Sequence, residues 1–449
     1  MKKSSPFQII VLCIFGALGV GSMIVFALFV NGNQTARTGP VVIWGTLDGK
    51  VFESVLKYLS EENEVYKETT YVQKGATDFP DVLARALASG QGPDLVLLSQ
   101  DQAYLEAPNM LRFPESEISP SQFTDMYVYS AAPFVTAEGV MAIPVIADPL
   151  ILYSNKDLLA AAGYSLPPKY WDELFDMARV ITGCGVARGG TVGYVTGCDR
   201  DSLSIKKATI ALGTYDNVDH AKDILSTIIL QSGGSITRRD ESGALISALI
   251  TRGNQSTSPT ESALRFYTEF SDPSKDDYSW SSAMRDSRSA FSAGDLALYI
   301  GYASERYLIA NANPNLNVGY SFLPQIRNKN SVITGARVYG LAIPRTSTNP
   351  TGAAQVAYNF SDSFASLVTA NAYGVVSARR DVLSQGGSKV VPSLFASSTI
   401  VSASWIDPDP QKTDALFRAM ITDVVSGTVR LTEGASRADQ QLKAILDVP

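Results

Sequence analysis

The sequence predicts an α/β protein made of two globular lobes, and three observations carry that expectation. The chain has 449 residues, too many for one ordinary core, because single cores stop growing at about 250–300 residues. From Val41 onward, apolar runs of strand length alternate with runs of helical periodicity, the pattern of βαβ units around a sheet. Hydrophobic residues make up 45% and charged residues 18%, which suits a packed soluble body plus one apolar segment.

That apolar segment comes first. Ile9 to Val30 is a run of 22 residues without a charge, about 33 Å as a helix and enough to cross a bilayer. Lys2 and Lys3 precede it, so the amino terminus is expected in the cytoplasm and the remainder outside. The run exceeds the roughly 7–15 residues of a signal-peptide core. No A-x-A site follows it, and Cys13 lies near its start rather than at its end, where a lipoprotein would need it. An uncleaved single-pass anchor is therefore expected, with residues 31–40 as a polar tether.

The elements after the tether read in order. Val41 to Trp44 is a strand, and Lys50 to Ser60 is a helix with Val51, Val55, Leu56 and Leu59 on one face. Tyr71 to Gln73 reads as a second strand. Asp78 opens a helix that stops at Gly90 and Gly92, and Asp94 to Leu98 is an apolar strand of the buried kind. Val145 to Tyr153 is another, followed by helices at Asn155 to Ala162 and Trp171 to Ile181. Further helices are expected at Ser204 to Leu212, Val218 to Gln231, Gly243 to Thr251, Thr260 to Phe270 and Ser287 to Ala293. Leu296 to Ile300, Asn317 to Leu323 and Tyr339 to Ile343 read as strands. Gly352 to Phe360 and Asp414 to Leu446 read as helix.

Charge and cysteines narrow the partners. The first 40 residues hold three positive charges and no negative ones, leaving 34 Lys+Arg against 44 Asp+Glu, a net of −10 beyond the tether. That argues against nucleic acid or an anionic membrane surface as partner. Cys184 and Cys198 each follow Thr-Gly and flank a Gly-rich turn. In an oxidising exterior they suit a disulfide worth about 3 kcal/mol; two free thiols are the alternative.

Catalytic chemistry finds little support. The single histidine, His220, starts a predicted helix in Asp216-Asn217-Val218-Asp219-His220 and reads as a solvated residue. No G-x-S-x-G occurs. Gly45-Thr-Leu-Asp-Gly49-Lys50-Val51 lacks one spacer and the Ser/Thr of a phosphate loop. Gly183-Cys-Gly185 lacks dinucleotide spacing, and no metal or cofactor is expected. Paired carboxylates of a glycan hydrolase are possible in a chain rich in Asp and Glu, but no pair stands out.

The stretch from Gly139 to Ala178 carries a resemblance. It contains a P-x-x-x-D strand ending at Asp148, then Tyr153-Ser-Asn-Lys-Asp-Leu158, then Pro168-Lys-Tyr170-Trp-Asp-Glu-Leu174, with Tyr170 at a usual Thr/Ser position. Gly92-Pro93-Asp94, Phe291 to Gly301, Asn313 to Pro324, and Ala378 to Leu383 (with Ala378 at a usual Pro) follow in matching order. Over nearly all of residues 41–449 the chain resembles bacterial extracellular solute-binding proteins of the family that includes maltodextrin-binding protein.

The resemblance implies a two-lobed periplasmic-binding-protein type II fold, each lobe a sheet flanked by helices. Lobe 1 would be 41–147 plus 338–383, and lobe 2 would be 148–337 plus 384–449. It implies a substrate-binding protein of an ABC importer, with permease subunits as partners and a small solute, a carbohydrate, held in the interlobe cleft by hinge closure. Carboxylates at Asp101 and Asp148 match ligand-binding positions. A carboxylate inside so apolar a run as residues 143–153 is costly unless bonded. Sugars also need aromatic faces for their C–H surfaces, which makes Trp44, Trp280 and Trp405 candidates, the last two because they lie in loops. Tyr302 and Arg380 complete the expected contacts. Asp94 and Trp171 read as structural. The alternatives are an extracellular glycan hydrolase and a surface interaction protein that keeps the fold.

Overall fold

The computed structural model describes residues 38–188, 191–196, 204–252, 256–329 and 331–447. The expected span at 9–30 and Cys198 lie outside the described residues, as does the Cys184 side chain. Among the described residues no helix is long and apolar enough to cross a membrane.

Among the described residues, twelve strands form one mixed sheet flanked by helices. They are β1 (Val41–Gly45), β2 (Thr69–Gln73), β3 (Leu95–Ser99), β4 (Ala142–Asn155), β5 (Gly183–Arg188), β6 (Thr191–Thr196), β7 (Ser204–Ile210), β8 (Leu296–Tyr302), β9 (Val318–Ser321), β10 (Thr334–Ala342), β11 (Val376–Ser377) and β12 (Ser402–Ala403). The main path runs β2-β1-β3-β10-β4-β8-β7-β5-β6. The opening βαβ units give β1 parallel partners on both sides, β2 and β3. β10 then returns antiparallel between β3 and β4.

β4 is the spine. All 14 of its residues are buried, as suits a sequence apolar on both faces apart from Asp148, Ser154 and Asn155. Its early residues pair with β10, as in Ala142↔Ala342, and its late ones pair with β8 and β9, as in Ser154↔Leu298 and Asn155↔Val318. One strand thus serves both ends of the sheet, and β10 crosses beside it with Arg337 opposite Asp148. β12 adds a third crossing by pairing with Thr334 and Gly335.

Packing follows the helical faces read from sequence. In the first half, Phe52 stacks on Tyr71 at 4.1 Å and meets Phe360 at 5.5 Å. In the second, Phe175, Phe266 and Phe270 form an aromatic group with Trp171. Trp171 is 4% exposed and its indole donates to Gln231. Asp94 is structural too: it accepts from the Val42 amide and from Ser347 and Asn349, stapling β1 to the turn before the helix Pro350–Phe360.

Three expected helices are otherwise. Residues 204–210 form strand β7, parallel to β8 through Ala208↔Leu296; a place inside the sheet overrides a weak helical preference. Residues 245–247 are a strand in a hairpin with Thr237–Arg239, turned at Gly243, where φ is 87°. The carboxyl-terminal helix is two, Pro410–Val425 and Leu431–Leu446, separated at Gly427.

Candidate ligand-binding site

Side chains from both ends of the sheet meet at the crossing of β4 and β10. β10 alternates, so that Gly335, Arg337 and Tyr339 share the face turned away from buried Ala336 and Val338. The Arg337 guanidinium lies over the Tyr302 ring at 4.6 Å, and Nη2 donates to Asp223 Oδ2 at 3.4 Å. The Tyr302 hydroxyl donates to the same Asp223 oxygen at 2.9 Å. Asp223 sits in the first turn of the helix Ala221–Gln231, beside Lys222. Lys222 donates to Asp407 at 2.6 Å and to Thr413 at 2.7 Å, and its ammonium lies 5.5 Å from the Trp405 ring.

Asp101 lies in the turn after β3. The Ser99 hydroxyl donates to its Oδ1, and it acts electrostatically on Lys222, Tyr302, Arg337 and Asp407. Asp148, on β4, is 8% exposed and accepts from the Ser304 amide at 3.1 Å. Burial pushes its carboxyl up to about 6; the Ser304 bonds oppose that, nearby Glu305 adds to it, and Arg337 partly offsets it. Asp407 is likewise pushed up to about 6 by burial, with Lys222 working against the rise.

The Asp148 shift has a measurable consequence. Between about pH 4 and 6 the native carboxyl keeps a proton that the unfolded one has released. Its stabilising contribution is full below about pH 4 and is lost as pH rises through about 6. Asp148→Asn is expected to be about 1–3 kcal/mol more stable than the parent at pH 8 and to flatten the stability slope between pH 4 and 6. Urea titrations across that range check it, and an unchanged slope would refute desolvation of this carboxyl.

A second layer supports the cluster. His220 caps the helix Ala221–Gln231 in a left-handed conformation, φ 62°. Its Nε2 bonds to Glu305 Oε1 and its ring meets Tyr302 edge-on at 4.7 Å. Burial works to raise Glu305, but the bond and charge of His220, the Tyr299 hydroxyl and Arg288 outweigh it and hold the carboxyl low. His220 is therefore a networked residue, not the solvated one its polar sequence context suggests.

The other expected contacts are placed as follows. Trp405 is half-buried beside Phe417 and joins the cluster through Lys222. Trp280 does not join it: it is 0% exposed, with its amide bonded to Phe270, so it is a core residue and the loop-tryptophan argument fails there. Trp44 packs against the core with Lys74 over its ring at 3.6 Å, apart from the cluster in every contact described. Arg380 is exposed at the start of the helix Arg380–Ser384 and makes no bond among the described residues. Sequence reasoning missed Arg337, Asp223, Lys222 and Asp407. Arg337 left a signal, a lone charge inside Thr334–Ala342; the others are ordinary helix and loop residues by sequence.

An opening of about 810 Å³ is lined by Tyr104, Leu105, Ile406, Pro408 and Lys412 among others, which neighbour Asp101 and Asp407 in sequence, and by none of the cluster residues themselves. Among the described residues no His, Cys, Asp and Glu group could hold a metal.

The chain is similar to known proteins over most of its length. The model for the bacterial extracellular solute-binding protein family matches residues 49–360. A solute-binding protein from Thermotoga lettingae TMO, solved with alpha-D-tagatose, has 19% identity and a TM-score of 0.66, covering 91% of this chain and 100% of its own. The cyclic alpha-maltosyl-1,6-maltose binding protein of Arthrobacter globiformis has 17% identity and a TM-score of 0.70, covering 92% and 100%. A cyclo/maltodextrin-binding protein complexed with maltotetraose has 14% identity and a TM-score of 0.69, covering 91% and 97%. At these identities the structures share the fold, and the family match carries the assignment. The chain belongs to the bacterial extracellular solute-binding protein family, whose role is binding rather than catalysis.

Proposed function

We propose that this chain is a membrane-anchored receptor that delivers a carbohydrate to an ABC permease. The observation that carries the proposal is the polar cluster at the β4–β10 crossing, where Tyr302 and Arg337 bond Asp223, Lys222 bonds Asp407, and Asp101, in the turn after β3, acts on Lys222, Tyr302 and Arg337 electrostatically. In this reading residues 41–147 plus 338–383 form one lobe and 148–337 plus 384–449 the other. Both crossing strands bend as the lobes close. A solute touched from both sides favours the closed state by its differential affinity. Asp101, Asp148, Tyr302 and Trp405, with Arg337 added, are the proposed contacts. Trp44 and Arg380 are proposed for the outer lip, for which only position in the fold speaks. The sugars named for the three similar structures support carbohydrate as the ligand class. Ile9 to Val30 supplies the proposed anchor, and Cys184–Cys198 a proposed disulfide.

Thermal unfolding of the full chain in detergent, with and without tagatose, maltotetraose and a wider sugar panel, tests the reading. A bound sugar raises the unfolding temperature in proportion to ln(1 + [L]/Kd). No shift with any sugar, alongside a shift with peptides or polyamines, would overturn it.

Closure itself is testable at Gly374. There φ is 69°, and a Cβ would collide with the ring of Tyr307, a residue of the opposite lobe in this reading. Gly374→Ala is expected to hold the lobes apart and weaken sugar binding about tenfold. The strain itself costs about 1 kcal/mol of stability. Isothermal calorimetry and small-angle scattering would check both; unchanged affinity would argue against lobe approach at this point.

A further inference from the structure

A smaller opening, of about 400 Å³, lies apart from the β4–β10 crossing. Trp171, Phe175, Phe266, Ile228, Ile326 and Pro259 line it, and no residue of the crossing cluster does. Its size is within the range of small-molecule sites. Phe175, Phe266, Ile326 and Pro259 are only half-buried, so apolar surface that the core does not cover faces this concavity.

The box is fixed from behind. The Trp171 indole donates to Gln231, and the Gln231 amide donates in turn to the Pro324 and Ile333 carbonyls. Gln325, which also lines the opening, bonds both the amide and the carbonyl of Ile333. Phe266 meets Trp171 and Phe175 edge-on at 5.5 and 5.6 Å. Walls held in one shape spare a ligand the cost of ordering them.

The charges around the box are one-sided. Arg327 is matched by Asp172 and Glu173. Lys329 donates only to the Ser232 carbonyl, at 3.3 Å, and has no carboxylate partner among the described residues. Ser232, Pro259 and Lys329 also line an adjoining opening of about 380 Å³, together with Arg238 and Arg252 and with no Asp or Glu. Arg252 pairs with Glu261, whereas Arg238 has no carboxylate partner among the described residues. Exposed cations alone are ordinary on a protein surface. Here two unmatched ones adjoin an aromatic box, on a chain whose net charge is −7. That combination suits a ligand apolar at one end and anionic at the other. An amine on the same body would meet Lys329 and Arg238 as repulsion.

We propose that this pocket is a second binding site, independent of the receptor reading, and that it takes a small aromatic carboxylate. The ring packs among Trp171, Phe175 and Phe266, and the carboxylate turns toward Lys329, with Arg238 beyond it.

The probes are 4-phenylbutyrate and 4-phenylbutylamine, which share a body and differ in the sign of their charge. Calorimetry on the full chain in detergent at pH 7 is expected to give the acid a Kd of about 1 mM or below. The amine is expected to bind about tenfold more weakly. Lys329→Gln, at an exposed loop position, should narrow that gap about threefold. Ser262→Trp places an indole in the opening from an exposed helix position. It should abolish acid binding with circular dichroism unchanged, and heat that persists in it measures uptake by the detergent. Three results would each overturn the inference: no acid binding up to about 10 mM, an amine that binds as tightly, or acid binding untouched by a folded Ser262→Trp.

Discussion

Trp280→Ala is expected to destabilise the protein by about 3–5 kcal/mol, among the largest effects of any single substitution here. The indole is 0% exposed. Its loop is clamped on both sides: the amides of Ser279 and Trp280 both donate to the Phe270 carbonyl, and the Ser279 hydroxyl bonds the Thr209 and Ile210 amides at the end of β7. The clamp prevents the loop from collapsing into the vacated space, so the cavity term persists. Trp280→Phe should recover most of the loss, because its ring refills much of the cavity and the indole N–H it gives up has no partner among the described residues. Trp405→Ala, at a half-buried site, should by contrast weaken solute binding more than stability. Denaturant titrations of the three variants check this ranking; a Trp280→Ala cost below about 1 kcal/mol would contradict its core placement.

Lys222→Met should be nearly as damaging, about 3–5 kcal/mol at pH 8, because it strands a buried carboxylate. Lys222 is 13% exposed in its side chain and Asp407 1%. Asp407 is already pushed up to about 6 with the ammonium present, so its loss drives the carboxyl higher. A carboxyl raised in the folded state contributes stability at low pH that disappears as pH climbs through its folded value. The variant's deficit should therefore be small near pH 5 and grow toward pH 8. Adding Asp407→Asn should recover most of the loss, since both partners of the pair are then neutral. A deficit independent of pH would mean that packing, not charge, is what Lys222 supplies.

These two sites also mark where sequence reading succeeds and stops. β4 was legible because its run is apolar on both faces and rich in β-branched residues, which favours a buried strand, and Asp148 stood out as the one charge inside it. Trp280 was misread because a loop in sequence can still be a core element once its backbone is tied down, as the Ser279 bonds do. Residues 204–210 were misread because Ile205, Ala208 and Leu212 suit one helical face, while the pairing that decides the matter comes from β8, far along the chain. His220 looked solvated because its neighbours are Asp and Asn; its partner Glu305 lies 85 residues away. The cluster residues Asp223, Lys222 and Asp407 come from a helix and a loop whose proximity to β10 only the fold creates.

The position of β10 has a consequence for how the molecule is made. Its place lies between β3 and β4, yet it is synthesised only after residue 333. Until then both neighbours keep a bare row of amides and carbonyls, and the first-formed end of the sheet cannot close. Long-range pairing of this kind slows folding. The finished body therefore cannot lock together before most of it has been made.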